Sequence, residues 1–286
     1  MNMNKFNYAL SVKSKLLNIS RSERIVNQTI LTRYFHERFL YRLSVSPFRT
    51  NFILKGGALI YAHESHKARP TLDIDFLGCG ISRDFSTVRN TVTSICQIPC
   101  VEDGVIFYPD TIILEEITLA STYNGVRVRM DASLDTVRQL LSMDIGFGDV
   151  IIPAPVNLNY PLLIGTLPDF NIAAYSLESV IAEKIHAMID RSVTNSRMKD
   201  FFDVYTLLKT KDINTELLRQ AVHSTFLNRE TSLNLNNQMF DRSFAEDEIR
   251  NRMWNSYLRK VRFTDKLPFA IVWEFIVNQI RVLIGE

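Results

Sequence analysis

Apolar residues recur at helical spacing from Asn7 to Val45, as in Ile25, Ile30, Leu31, Tyr34 and Phe35, with the serines of SRSER (20–24) placed to cap a helix. After about Phe48 the period shortens. LDIDFLG (72–78), GVIFYPDTIILEEITLAS (104–121), NGVRVRMDASL (124–134) and LLSMDIGFGDVII (140–152) read as strands, with a helix around Phe85 to Cys96 and a hairpin turn at YNGV (123–126). Helices resume from Ser176, through SLESVIAEKIHAMIDR, SRMKDFFDVYTLLK, NTELLRQAVHSTFL, FAEDEIRNRMWNSYLRKV and FAIVWEFIVNQIRVLI, after a boundary at PLLIGTLPDF (161–170). The pattern predicts an α+β protein in three zones: N-terminal helices over 1–47, a small mixed-sheet core over 48–168 and a C-terminal helical bundle over 169–286.

Composition narrows the class. At 286 residues with 46% apolar content, the chain can bury one large core or two modest ones. The opening MNMNKFNYALSVKSK lacks the apolar run of a signal peptide, and no stretch approaches the roughly 20 apolar residues of a membrane span. A cytoplasmic protein without a membrane partner is expected. Cys79, Cys96 and Cys100 form no even framework and no zinc spacing, so they read as buried thiols. Net charge is only +2, yet residues 1–55 carry ten basic groups against Glu23 and Glu37. That asymmetry fits either a surface facing a polyanion or a set of solvated basic helices.

The charged positions inside the apolar pattern carry the chemistry. As a strand, LDIDFLG puts Leu72, Ile74 and Phe76 on one face and Asp73 and Asp75, with Thr71, on the other. Two carboxylates side by side repel unless a cation sits between them, and Mg²⁺ suits such an all-oxygen site. Gly56 and Gly57 precede a short helix, Ala58 to Ala62, so that backbone amides and a helix N-terminus can face a phosphate chain; the same glycines also suit a tight strand-to-helix turn. In LLSMDIGFGDVI, Leu141, Met143, Ile145 and Phe147 alternate with Ser142, Asp144 and Gly146, which offers Asp144 as a third carboxylate. Its rival is Asp131, which shares a face with Arg127 and Arg129 and fits an arginine–aspartate surface ladder better than catalysis. His63 and His66 have no third ligand at sensible spacing, and Trp254 and Trp273 read as core.

Two glycines, a short helix, a DxD strand and a later carboxylate together resemble a nucleotidyltransferase of the polymerase-β superfamily. More narrowly, LKGGAL with RPTLDIDFLG, then MDIGFGD, AEKIHAMI and NSRMKDFFDVY, resemble the AbiEii/AbiGii group of bacterial toxins from abortive-infection and toxin–antitoxin systems, over about residues 48–210. The resemblance implies a nucleotidyltransferase core and metal-dependent transfer of a nucleoside monophosphate from an NTP to an acceptor hydroxyl. It implies that Asp73 and Asp75 hold Mg²⁺, as one or two ions with Mn²⁺ as substitute, and that Asp144 acts as a further ligand or as base. Lys184, which by its pattern alone reads as an exposed lysine sharing a helix face with Ala187, Met188 and Arg191, is implied to contact phosphate. Within RMKDFFD, Arg197 with Asp200 and Lys199 with Asp203 have the spacing of intrahelical pairs; the resemblance draws Asp200 and Asp203 into the catalytic set. Gly56, Gly57, Arg69, Lys184 and Lys199 then form the nucleotide-binding set.

Related proteins often carry Ser or Thr after the glycines, where this chain has Ala58, so the triphosphate contact falls to backbone amides and Arg69. The implied partners are an NTP, an RNA acceptor such as tRNA, which suits the basic N-terminal zone, and a cognate antitoxin. Three alternatives stay open: a catalytically weak nucleotide-binding or interaction protein, a transferase acting on a small molecule or protein, and a sugar-nucleotide enzyme. The double glycine and the later KD–D helix argue against the last.

Overall fold

The computed structural model describes residues 7–65, 68–120 and 123–285. These form two compact units: one holds the described residues up to Gly148 and Val156–Ala174, the other Asp149–Pro155 and the described residues from Tyr175 onward.

The first unit is built on a seven-stranded mixed sheet. Its strands are β1 (Phe52–Lys55), β2 (Asp73–Gly78), β3 (Val105–Ala120), β4 (Tyr123–Leu134), β5 (Val137–Phe147), β6 (Val156–Asn159) and β7 (Asn171–Ala174), in the order β3-β4-β5-β2-β1-β7-β6. β2 runs parallel to β5 and β1 parallel to β7, and the other neighbours are antiparallel. Alternation sorts the side chains: Ile74 and Phe76 on β2, Val126, Val128 and Met130 on β4, and Leu141, Met143 and Ile145 on β5 share one buried face. Helix α2 (Asn27–Ser44) packs there, its Phe39 ring lying 6.4 Å from Phe76 and 6.1 Å from Phe107. The acidic residues of β2 and β5 are thereby directed to the opposite face.

Helix α1 (Tyr8–Ser22) is capped by Asn7, which accepts from the Leu10 amide, and buries Val12 and Leu16. SRSER closes α1 rather than capping the next helix: Arg24 takes a positive φ of 54°, the Ser20 hydroxyl donates to the Ile25 carbonyl, and α2 starts after Val26 with no side-chain cap. Because α2 is buried all round from Ile30 to Leu40, its charges need internal partners. Arg42 forks onto Asp103 (2.6 and 3.3 Å), Arg38 pairs with Glu37 (2.9 Å), and Arg33 donates to the Ala68 carbonyl (2.7 Å). Three of the ten basic residues of the segment 1–55 are therefore core residues.

Helices α3 (Gly56–Glu64) and α4 (Phe85–Cys96) complete this unit; Asp84 caps α4 through the Thr87 amide (2.8 Å). Leu72 stands outside β2 and is 78% exposed, so the apolar face of that strand begins at Ile74. YNGV lies within β4, whose first residue pairs with Ala120, so it is strand rather than turn. The short β6 and β7 flank PLLIGTLPDF, and both join the sheet. The three cysteines are free and half-buried, and burial pushes the Cys96 thiol up to about 12.

The second unit is helical: α5 (Leu177–Arg191), α6 (Met198–Thr210), α7 (Thr215–Asn228), α8 (Arg242–Glu246), α9 (Glu248–Lys260) and α10 (Phe269–Ile284). Ser176 and Asn214 cap α5 and α7. The run expected as one helix from Phe244 breaks at Asp247, whose carboxylate accepts from the Arg250 amide and starts α9. Trp254 is fully buried against Phe269 (5.5 Å), and half-buried Trp273 donates to the Met239 carbonyl (2.7 Å). Among the described residues no helix is long and apolar enough to cross a membrane.

Candidate active site

Where β1 passes into α3, the backbone leaves room for a carboxylate. Gly56 and Gly57 form the first turn of α3 rather than preceding it, with Lys55 as the N-cap residue. Gly56 has φ +66°, and a Cβ there would fall on the Asp75 carboxylate; one at Gly57 would lie 2.6 Å from Thr71 Oγ1. The glycines thus let Asp75 approach the helix N-terminus, where Oδ2 accepts from the Gly57 amide at 3.4 Å and the helix dipole favours negative charge. Asp73 is held by Thr71, whose Oγ1 donates to Oδ1 at 2.9 Å. Behind them, fully buried His36 on α2 hydrogen-bonds the Leu72 backbone and steadies the entry to β2; burial depresses its pKa to about 4, against the opposing pull of Asp73.

The parallel pairing of β2 with β5 sets Asp144 directly beside Asp75. One oxygen from each of Asp73, Asp75 and Asp144 lies within 4.8 Å of the others. Three hard oxygen donors converging in this way fit a divalent cation such as Mg²⁺ or Mn²⁺, which needs only modest closure to ligate all three. Asp131 is not a member of this group; its amide donates to the Thr111 hydroxyl oxygen, and it pairs with Leu140 across β4–β5.

Asp75 and Asp144 stand in a longer row. Register places Lys55, Asp75, Asp144, Arg127 and Glu115 side by side across β1, β2, β5, β4 and β3, and laterally paired residues share a face. Two carboxylates are flanked by a cation on either side. Arg127 forks onto Asp144, with Nε to Oδ1 and Nη2 to Oδ2 both at 2.7 Å, and this bonding raises the arginine pKa. Next to it Arg129 pairs with Glu115 at 2.6 Å. Arg69 is half-buried, with Nη1 3.5 Å from the Pro70 carbonyl.

In the helical unit a second cluster forms between α5 and α6. Lys184 is half-buried and donates to two buried carboxylates, Asp200 Oδ1 (2.7 Å) and Asp203 Oδ2 (2.8 Å), so it is not a freely solvated surface lysine. Arg197 adds an i,i+3 ion pair to Asp200 Oδ2 (2.8 Å), as the spacing predicts, and Asp203 also meets Lys184 on the neighbouring helix; Lys199 is half-buried on α6. Burial pushes the Asp200 carboxyl up, but Lys184 and Arg197 outweigh it and hold the pKa below the ordinary value.

Asp73, Asp75, Asp144, Gly56 and Gly57 therefore meet in the sheet unit, and Lys184, Asp200 and Asp203 meet in the helical unit. The sequence reading missed His36, Thr71 and the Arg127–Asp144 fork. Arg127 was visible on its strand, but only the β4–β5 register pairs it with Asp144.

Carboxylates on adjacent strands beside a glycine-started helix are compatible with a nucleotidyltransferase, the class to which the family match assigns the chain. The chain belongs to the family described as the nucleotidyl transferase AbiEii toxin of type IV toxin–antitoxin systems, whose model matches residues 38–276. Among solved structures it is similar to JHP933 from Helicobacter pylori, at 15% identity over 90% of this chain and 92% of that one, with a TM-score of 0.49. It is also similar to a candidate nucleotidyltransferase from H. pylori, at 15% identity over 91% and 96% of the two chains, with a TM-score of 0.48. No curated protein matches the sequence significantly.

Proposed function

We propose that the protein transfers a nucleoside monophosphate from an NTP to a hydroxyl of an RNA acceptor, such as tRNA, with release of pyrophosphate, as the toxin of a toxin–antitoxin pair acting in the bacterial cytoplasm. The observation that carries this reading is the convergence of Asp73, Asp75 and Asp144 beside Gly56 and Gly57, in a chain of this family. Asp73, Asp75 and Asp144 would hold one or two Mg²⁺ ions, which when bound stabilise charge on attacking and leaving oxygens.

The chain's own groups do the rest. The first amides of α3, with Arg69, face the phosphate chain. Ala58 offers no hydroxyl and is buried, so donation there is left to the backbone. Asp144 is placed to accept the proton of the attacking hydroxyl or to serve as a ligand. Asp200 and Asp203 fix the Lys184 ammonium, which supports a positioning role for that trio within the helical unit. A cognate antitoxin is the partner the family's type IV description supplies.

Incubation of the protein with each labelled NTP, Mg²⁺ and total RNA, followed by gel separation, tests the reading. Label in a tRNA-sized band is the expected result. Nucleotide binding with no transfer to RNA, protein or small molecule would leave a binding protein in place of the enzyme.

A further inference from the structure

Asp144 is claimed twice. One of its oxygens belongs to the three-carboxylate cluster, while both of its oxygens accept from the Arg127 guanidinium at 2.7 Å. A carboxylate has about four lone-pair sites, so a cation and a guanidinium are not barred from it by count. Charge decides the matter. The Asp144 side chain is only 8% exposed, arginine stays protonated at any accessible pH, and a divalent ion on the same carboxylate would face it across a few ångströms of poorly screened space. The Arg127 side chain is 32% exposed and has a route out toward solvent, with Glu115 opposite it on β3. A guanidinium turned from a carboxylate in a nucleotide site meets the ligand that best fits its fork, a phosphate.

We propose that Arg127 is an exchangeable counter-ion: it competes with the divalent cation for Asp144 and, when displaced, binds the phosphate chain of the nucleotide. This rests on the nucleotidyltransferase reading and adds to it a residue that couples metal loading to triphosphate capture. Arg127 is more than a strut for Asp144. Were it only a strut, its removal would loosen the carboxylate and weaken metal binding. As a competitor, its removal strengthens it.

The test uses the full chain, with Mn²⁺ as probe read by electron paramagnetic resonance. Arg127→Gln is expected to bind Mn²⁺ at least about tenfold more tightly than wild type, because a hydrogen-bonded charge no longer has to be displaced. At saturating Mn²⁺ the same variant should lose at least about tenfold in affinity for NTP, measured by calorimetry, and change little toward the matching NMP. Arg127→Lys keeps the charge but not the fork and should fall between wild type and Gln in both measurements, which secures the test if Gln folds poorly. Equal or weaker Mn²⁺ binding by the folded variants, or NTP affinity unchanged, overturns the proposal. Asp75→Asn separates the two levels. If it binds Mn²⁺ as well as wild type, the metal site itself is misplaced and both readings fall; if it does not and Arg127→Gln shows no gain, only the exchange fails.

Discussion

At Gly56 the backbone turns into the left-handed region, and a methyl group would land on the Asp75 carboxylate. Gly56→Ala should therefore displace Asp75 and, because the new methyl also meets Asp75 Cβ at 2.8 Å and sits at a positive φ, strain the β2 backbone as well, at a stability cost of at least about 1–2 kcal/mol, and should weaken Mn²⁺ binding at least about tenfold. Thermal unfolding read beside Mn²⁺ titration checks this; undiminished Mn²⁺ affinity in the folded variant would contradict it. Asp73 and Asp75 were legible in the sequence because a strand's period of two is local, and charges inside an apolar run stand out. The choice of Asp144 over Asp131 was not. Both alternate correctly along their own strands, and only the parallel pairing of β2 with β5 brings one of them to Asp75.

Between elements, the second cluster shows how burial changes the meaning of a lysine. Lys184→Met would leave Asp200 and Asp203, 1% and 2% exposed, without their shared cation and should destabilise the helical unit by roughly 3–5 kcal/mol in urea unfolding, where a surface lysine would cost under about 0.5. In the same unit His186 is held neutral: Arg229 Nη1 donates to Nδ1 (3.2 Å), leaving the Nε2 hydrogen for Thr231 Oγ1 (2.8 Å). Burial, then Arg229, lowers its pKa to about 4. The unfolded chain, at about 6.5, binds the proton more readily, so this contribution is complete above 6.5 and is lost as pH falls toward 4, by on the order of 3 kcal/mol. His186→Gln should flatten the pH dependence of unfolding in that window; an unchanged slope would contradict the assignment. Helices α4 and α10 were legible end to end because caps and periodicity coincide. β6 and β7 were not, since four-residue strands with exposed positions leave no alternation to read, and SRSER misled because serines suit turns as well as caps.

For the molecule as a whole, the basic excess of residues 1–55 overstates the surface available to a polyanion. Arg33, Arg38 and Arg42 are buried, and Lys13 is bound to Asp135 at 2.7 Å. Lys15 and Arg21 are exposed, and if α1 holds RNA, Lys15→Gln with Arg21→Gln should weaken binding and lower the salt slope by roughly 1–2 units, with NTP affinity kept. An unchanged slope would mark a solvated helix and send the search for the acceptor surface elsewhere. The α+β architecture was legible from the change of period along the chain, whereas the joining of α1 and α2 to the sheet depends on long-range packing such as Phe39 on Phe76 and Phe107. The central claim is that the carboxylates of β2 and β5 form the centre of nucleotidyl transfer, and it is tested most directly by label transfer from α-labelled NTP in Mg²⁺ by wild type, Asp75→Asn and Asp131→Asn. The account predicts a loss of at least about a hundredfold for Asp75→Asn and a change of no more than a few-fold for Asp131→Asn. Undiminished transfer by a folded Asp75→Asn protein, or the reverse ranking of the two variants, would contradict it.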